Sequence, residues 1–309
     1  MKILILGAGA IGGYVGGRLQ QSGSDVTFLV RPARQQAIAR DGLVIKSTKG
    51  DIAQKVKTVT KGSEGGPYDI VLLTCKAYEL DSAIEAIAPA VGSDTTVVPL
   101  LNGMRHLDVL DAKFGKEKVV GGLARVGVAM SPEGTILHTS PFAAISFGER
   151  DGQAPRAALQ ELDAAIKKSI VDGGLHAKIV QDLWDKWIML CSLAATNCLM
   201  RGSSGDILEA DEGRAIVMET VDECQKVAAA AGHDPGDKGM QTIRGFLTVK
   251  GSKFTASMLH DLEKGAMVEA DHIVGDMIAR GRKAGVATPN LRIAYAHLQV
   301  YLTRRARAV

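Results

Sequence analysis

The sequence predicts an α/β fold in two parts: a doubly wound parallel sheet with its helices over residues 1–180, and an all-helical domain over residues 181–309. Three observations predict it. Short β-branched runs alternate with helical stretches through the first half, the pattern of βαβ units around a parallel sheet. A glycine-rich run, GAGAIGG at 7–13, stands between the first strand and the first helix. After Asp182 the strand signal disappears, and 309 residues is more than one core usually organises.

In chain order, residues 3–6, 26–30, 70–74, 97–101 and 119–122 read as strands, being short, apolar and rich in Val, Ile and Leu. Helical periodicity with turn residues at the ends marks 10–22, 80–90 and 105–113. The GSEGG segment at 62–66 reads as a surface loop. From 134 to 149 the period shortens to that of two strands, 135–138 and 144–147, an antiparallel addition to the sheet. A helix at 156–171 and a strand at 177–180 complete the first domain. The second is read as helices at 182–200, 209–231, 238–249, 255–264, 268–284 and 290–305, with Trp184 and Trp187 as core anchors.

Composition narrows the function. With 46% hydrophobic and 23% charged residues the chain is a packed globular protein, not a disordered or fibrous one. Thirty-seven Lys and Arg against 34 Asp and Glu leave +3, too even for a nucleic-acid partner. Cys75, Cys191, Cys198 and Cys224 form no CxxC pair and read as reduced, buried thiols; the seven histidines show no ligand spacing, so no metal is expected. Met1-Lys2 leads straight into a short apolar run that ends in glycines, unlike a signal peptide. The longest apolar stretch, 187–200, is interrupted by Ser192, Thr196 and Asn197 and falls short of the roughly 20 residues that span a bilayer. The expectation is a cytoplasmic protein without a membrane partner. Its apolar helical domain suits a homodimer and equally an interdomain core, and Arg304, Arg305 and Arg307 suit the negative end of a helix.

The GAGAIGG run carries the strongest chemical signal. Gly7 permits the tight turn, Gly9 lets backbone approach a pyrophosphate, and Gly12 lets the helix pack on the strand, with phosphates held over Ala8, Ala10 and Ile11 at the helix N-terminus. This predicts a bound dinucleotide. At the end of the second strand, where NAD sites offer a carboxylate to the ribose, the chain reads FLVRPAR; Arg31, with Arg34 three residues on, suits the 2′-phosphate of NADPH. Lys76 and Asn102 follow later strands, where ligands bind in doubly wound sheets, although either could cap a helix and Asn-Gly is an ordinary turn.

In the helical domain Lys186 lies one turn into an otherwise apolar helix, costly unless paired, with Asp182 and Asp185 as local candidates. Ser257 and Glu269 are twelve residues apart, about 18 Å along one straight helix, and could meet only if the chain breaks between them, as Gly265 allows. From the residues alone Glu269 reads as a surface side chain.

Taken together, GAGAIGG, TCKAYEL around Lys76, LLNGM around Asn102, LWDKW around Lys186, and SMLHDLEKG followed by EADHIVG resemble the ketopantoate reductase (2-dehydropantoate 2-reductase) family over nearly the whole chain. The resemblance implies a Rossmann domain that binds NADPH and a helical domain that supplies the substrate site. It makes Lys186 the general acid, Glu269 the carboxylate that positions it, and Ser257 a hydrogen-bond donor to the substrate. Lys76 and Asn102 become groups around the nicotinamide ribose and the substrate, and Arg31 the 2′-phosphate contact. It implies reduction of ketopantoate to pantoate in pantothenate and coenzyme A biosynthesis. Where the family carries asparagines four and eight residues after the lysine, this chain has Leu190 and Ala194, and a further substrate-contacting asparagine falls near Ser204. These departures leave reduction of a more apolar 2-keto acid as one alternative, and because fold alone does not establish activity a non-catalytic NADPH-binding sensor on the same scaffold is the other.

Overall fold

The computed structural model describes residues 1–308, and the chain divides into two compact units. The first comprises Met1–Leu101 with His106–Val180; the second comprises Asn102–Arg105 with the chain from Gln181 onward. Asn102 therefore packs with the helical unit, although in sequence it lies inside the α/β one.

The first unit holds two sheets. β1 (Lys2–Leu6), β2 (Asp25–Leu29), β5 (Lys57–Val59), β6 (Ile70–Leu73) and β7 (Thr96–Pro99) form a parallel sheet in the order β5-β2-β1-β6-β7. Its inner strands and β7 are buried on both faces, as apolar parallel strands require, whereas β5 at the edge is partly exposed. The connections include α1 (Ala10–Gln21), α2 (Pro32–Asp41), α3 (Leu80–Ile87) and α4 (Arg105–Phe114).

The stretch read as an addition to this sheet instead builds a second one. β8 (Gly121–Met130) pairs antiparallel with β9 (Ile136–Gly148), a single 13-residue strand and not two. Its other neighbours are β3 (Leu43–Ser47), with β4 (Ile52–Gln54) outside it, and β10 (Asp172–Leu175). Helix α1 lies between the sheets, and its small residues are there for that reason. A Cβ on Gly16 would strike Ile5 and Phe28 at 2.5–2.7 Å, and one on Gly17 would strike Leu43 and Ile45 at 2.9 Å. One apolar core, including Ile5, Phe28, Ile45, Ile136 and Phe147, results. α5 (Ala157–Lys168) packs against β10.

The strand expected at 177–180 is absent. Ile179 and Val180 are β-branched, but they open α6 (Ile179–Met200), and the strand lies earlier, at β10. The remaining helices of the second unit are α7 (Ser204–Glu209), α8 (Gly213–Ala230), α9 (Gly236–Leu247), α10 (Ser257–Glu263), α11 (Asp276–Lys283) and α12 (Pro289–Ala308). The helix read at 209–231 begins only at Gly213, as α8, because Glu212 before it takes a left-handed φ of 61°, and Ser203 starts the unread helix α7 with a capping box. The helix read at 268–284 opens with a π-turn, Asp271–Gly275. Cys191, Cys198 and Cys224 are buried free thiols, whereas Cys75 is only half-buried.

Candidate active site

At the end of β1 the chain turns through Gly7, φ +93°, whose N–H donates to Leu29 O at 2.9 Å. Gly9 then caps α1 in extended conformation, with no side chain bonded to the helix N-terminus and no acid in the first turn. The first helical bond is Gly13 N–H to Gly9 O at 2.9 Å, so the amides of Ala10, Ile11 and Gly12 have no acceptor within the helix. A Cβ on Gly9 would meet nothing within 4 Å, whereas one on Gly12 would lie 2.3 Å from both Gly7 O and Thr74 Oγ1. An open backbone, uncapped amides and the positive end of a helix fit the pyrophosphate of a dinucleotide.

Two arginines stand near this turn. Arg34 Nε donates to Ala8 O at 3.0 Å, while its Nη2 is buried without a hydrogen-bond partner, a donor suited to an anionic ligand. Arg31 caps α2 and is ion-paired to Glu79 through Nη2; the Glu79 hydrogen bond holds the Arg31 guanidinium above its ordinary pKa. Lys76 precedes the 3₁₀ turn Ala77–Glu79, and its carbonyl accepts from Glu79 N–H at 2.9 Å.

The helical unit gathers a second set of polar groups. Lys186 Nζ, half-buried on α6, donates to Asn102 Oδ1 at 2.9 Å, so Asn102 is more than a turn former, although Gly103 beside it has φ +75°. The His272 ring bonds the Asn102 backbone and lies against Gly103, 3.0 Å from the Cβ position there. Burial pushes the His272 pKa down to about 4, so the ring is neutral at pH 7. His272 belongs to the π-turn, whose Ile273 carbonyl accepts from Trp187 Nε1 at 2.9 Å. π-turns of this kind concentrate at functional sites.

Glu269, just before the π-turn, is buried with 7% exposure, correcting its reading as a surface residue. Ser257 is exposed at the first position of α10, and Gly265, φ +69°, ends that helix before Glu269. Ser204 is buried; its N–H and Oγ both donate to Phe254 O, at 3.0 and 3.2 Å. Asn197 Oδ1 accepts from Ala256 N–H at 2.8 Å. Both side chains thus hold the segment that delivers Ser257. Leu190 is half-buried and Ala194 fully buried.

Glu79 and His272 escape a reading of the sequence: Glu79 stands just before the helix read at 80–90 with nothing to mark a partner 48 positions away, and His272 meets Asn102 only through the π-turn. No group of three His, Cys, Asp or Glu that could hold a metal occurs among the described residues. No helix among them is long and apolar enough to cross a membrane.

With this geometry in place, comparisons identify relatives. The family profile "Ketopantoate reductase PanE/ApbA" matches residues 3–152, and "Ketopantoate reductase PanE/ApbA C terminal" matches residues 178–302. The uncharacterized oxidoreductase YkpB of Bacillus subtilis is 35% identical over 97% of this chain and 99% of its own. A 2-dehydropantoate 2-reductase of Mesorhizobium japonicum is 29% identical over 94% of each. Among solved structures, the PanE/ApbA family ketopantoate reductase of Ralstonia eutropha superposes with a TM-score of 0.89 at 26% identity, covering 99% of this chain and 100% of that one.

Proposed function

The chain belongs to the ketopantoate reductase family of oxidoreductases, and on that premise we propose that it reduces a 2-keto acid to the 2-hydroxy acid with NADPH. Ketopantoate is the leading substrate, and the product would be pantoate for pantothenate and coenzyme A synthesis. The observation that carries the reading is the Lys186 ammonium held by Asn102 Oδ1 at 2.9 Å on a largely apolar helix.

Bound NADPH supplies a hydride to the keto carbon. The residues do the rest. The amides of Ala10, Ile11 and Gly12 would hold the pyrophosphate, Arg31 and Arg34 would attract the 2′-phosphate, and Lys76 would face the nicotinamide ribose, while Asn102 holds Lys186 in the helical unit. Lys186 gives its proton to the oxygen that becomes the hydroxyl, stabilising the charge that develops there. Glu269 positions the lysine. Ser257 donates a hydrogen bond to the substrate, and Ser204 contributes to the same pocket by fixing the segment before Ser257. The four cysteines, none of them in a disulfide, suit a reducing cytoplasm.

Leu190 and Ala194 favour a second reading, a more apolar 2-keto acid, because both positions lack a hydrogen-bonding group for a substrate hydroxyl. NADPH oxidation followed at 340 nm with ketopantoate and a panel of branched 2-keto acids separates the two. Lys186→Ala is expected to lower kcat/KM at least about 100-fold while leaving cofactor affinity in place. Residual turnover within about 10-fold of wild type would remove Lys186 as the acid. Tight NADPH binding without turnover of any 2-keto acid would favour the sensor.

A further inference from the structure

In the α/β unit, the arginine expected to take a 2′-phosphate already has an anionic partner. β2 and β6 flank β1 on opposite sides, so the loops that follow them stand on either side of the glycine-rich turn. Arg31 comes from the first loop and Glu79 from the second, and their ion pair spans the carboxyl end of β1. Both ends are built. Arg31 caps α2, its carbonyl accepting from Gln35 N–H at 3.0 Å. Glu79 closes a 3₁₀ turn, with its N–H on Lys76 O and its carbonyl taken by Ser82 Oγ, each at 2.9 Å.

A carboxylate at this end of such a sheet accepts hydrogen bonds from the ribose 2′-hydroxyl of NAD, whereas an arginine there accommodates the 2′-phosphate of NADP. This chain has both, bonded to each other. A phosphate group with about two negative charges, brought to Arg31, arrives next to the Glu79 carboxylate, and like charges at hydrogen-bonding range oppose one another even at a largely exposed pair. The ribose hydroxyls of NADH bring no such charge and can donate to Glu79.

We propose that Glu79 tunes the dinucleotide selectivity of this chain: it weakens the hold of Arg31 on a 2′-phosphate and offers NADH an acceptor, so that the preference for NADPH is narrowed to about 10-fold or less. The assignment rests on the reading of the GAGAIGG turn as the cofactor site and is independent of the substrate.

The test is calorimetric titration of NADPH and NADH into wild type, Glu79→Gln and Arg31→Gln, at one ionic strength and without substrate. Wild type is expected to favour NADPH by no more than about 10-fold. Glu79→Gln should raise that ratio by about 10-fold or more, through tighter NADPH and weaker NADH, and Arg31→Gln should lower it. A ratio in Glu79→Gln that rises less than about 5-fold overturns the assignment and leaves an ordinary surface ion pair. Wild-type protein that binds neither dinucleotide would fail the cofactor reading itself, and the assignment with it. Because the glutamine is isosteric and Glu79 lies at the surface of its loop, an unchanged thermal midpoint serves as the folding control.

Discussion

Leu190 and Ala194 occupy two positions on α6 past Lys186, and their environments differ. Ala194 is fully buried, so a larger polar side chain there would overpack the helix and bury an amide. Leu190 is half-buried, one turn from the lysine, and a polar group there can reach a ligand that touches Lys186. Leu190→Asn is therefore expected to shift kcat/KM by about 10-fold toward a hydroxylated 2-keto acid over an unsubstituted branched one. Parallel loss on both substrates would show that position 190 does not face the substrate. Lys186 was legible in the sequence because a lysine one turn into a largely apolar helix needs an explanation. The partner it bonds was not, since Asn102 is 84 positions away and reads as the start of a turn. Glu269 was misread for a related reason: a carboxylate after a glycine break gives no sign of burial until the π-turn folds it in.

At the scale of elements, the first strand, turn and helix were legible almost residue for residue, because glycine spacing, strand and helix all point to one backbone path. The chain from 32 to 59 was not resolved into elements. It forms α2, β3, β4 and β5, but the strands are three to five residues long and carry exposed polar side chains. Their identity comes from pairing with β9 and β2, which are distant or unannounced in the local pattern. The turn itself offers a way to separate packing from ligand binding. Gly9 has a negative φ and an open Cβ position, so Gly9→Ala should leave the thermal midpoint within about 1 °C. Dinucleotide affinity should nevertheless fall at least about 10-fold, because the methyl group occupies the space the pyrophosphate approaches. Gly12→Ala should instead destabilise the fold by roughly 2–4 kcal/mol, since its Cβ meets the Gly7 carbonyl and Thr74 at 2.3 Å. Unchanged affinity in a well-folded Gly9→Ala protein would remove the turn as the phosphate site.

For the molecule as a whole, the division into two units lets their stabilities be followed separately. The chain has two tryptophans, Trp184 and Trp187, both buried in the helical unit, so tryptophan emission reports that unit alone. The unit also holds its main acid-sensitive group. His272 has a pKa near 4 in the fold, chiefly through burial, against about 6.5 when unfolded. Between those values the unfolded chain binds a proton that the folded chain refuses. The stabilisation is thus complete above about pH 6.5 and is lost as pH falls toward 4, by about 3 kcal/mol over the full window. Burial shifts His233, stacked on Trp184 at 5.6 Å, in the same direction. Glu223, raised by burial, works in the opposite sense and offsets part of the loss. In the α/β unit burial pushes the Glu149 and Asp163 carboxyls up, but hydrogen bonds from the Arg156 and Lys167 side chains and from the Arg156 and Leu175 amides, together with the nearby positive charges, leave both below the ordinary carboxylate range, so their contributions persist to lower pH. Urea unfolding followed by tryptophan emission should accordingly show the helical unit weakening between pH 7 and pH 4.5. His272→Gln, which can still donate to the Asn102 backbone, should lose roughly 2 kcal/mol less over the same interval. Equal losses in wild type and His272→Gln would mean that the ring accepts its proton in the folded unit, and that the contact with Asn102 survives the charge.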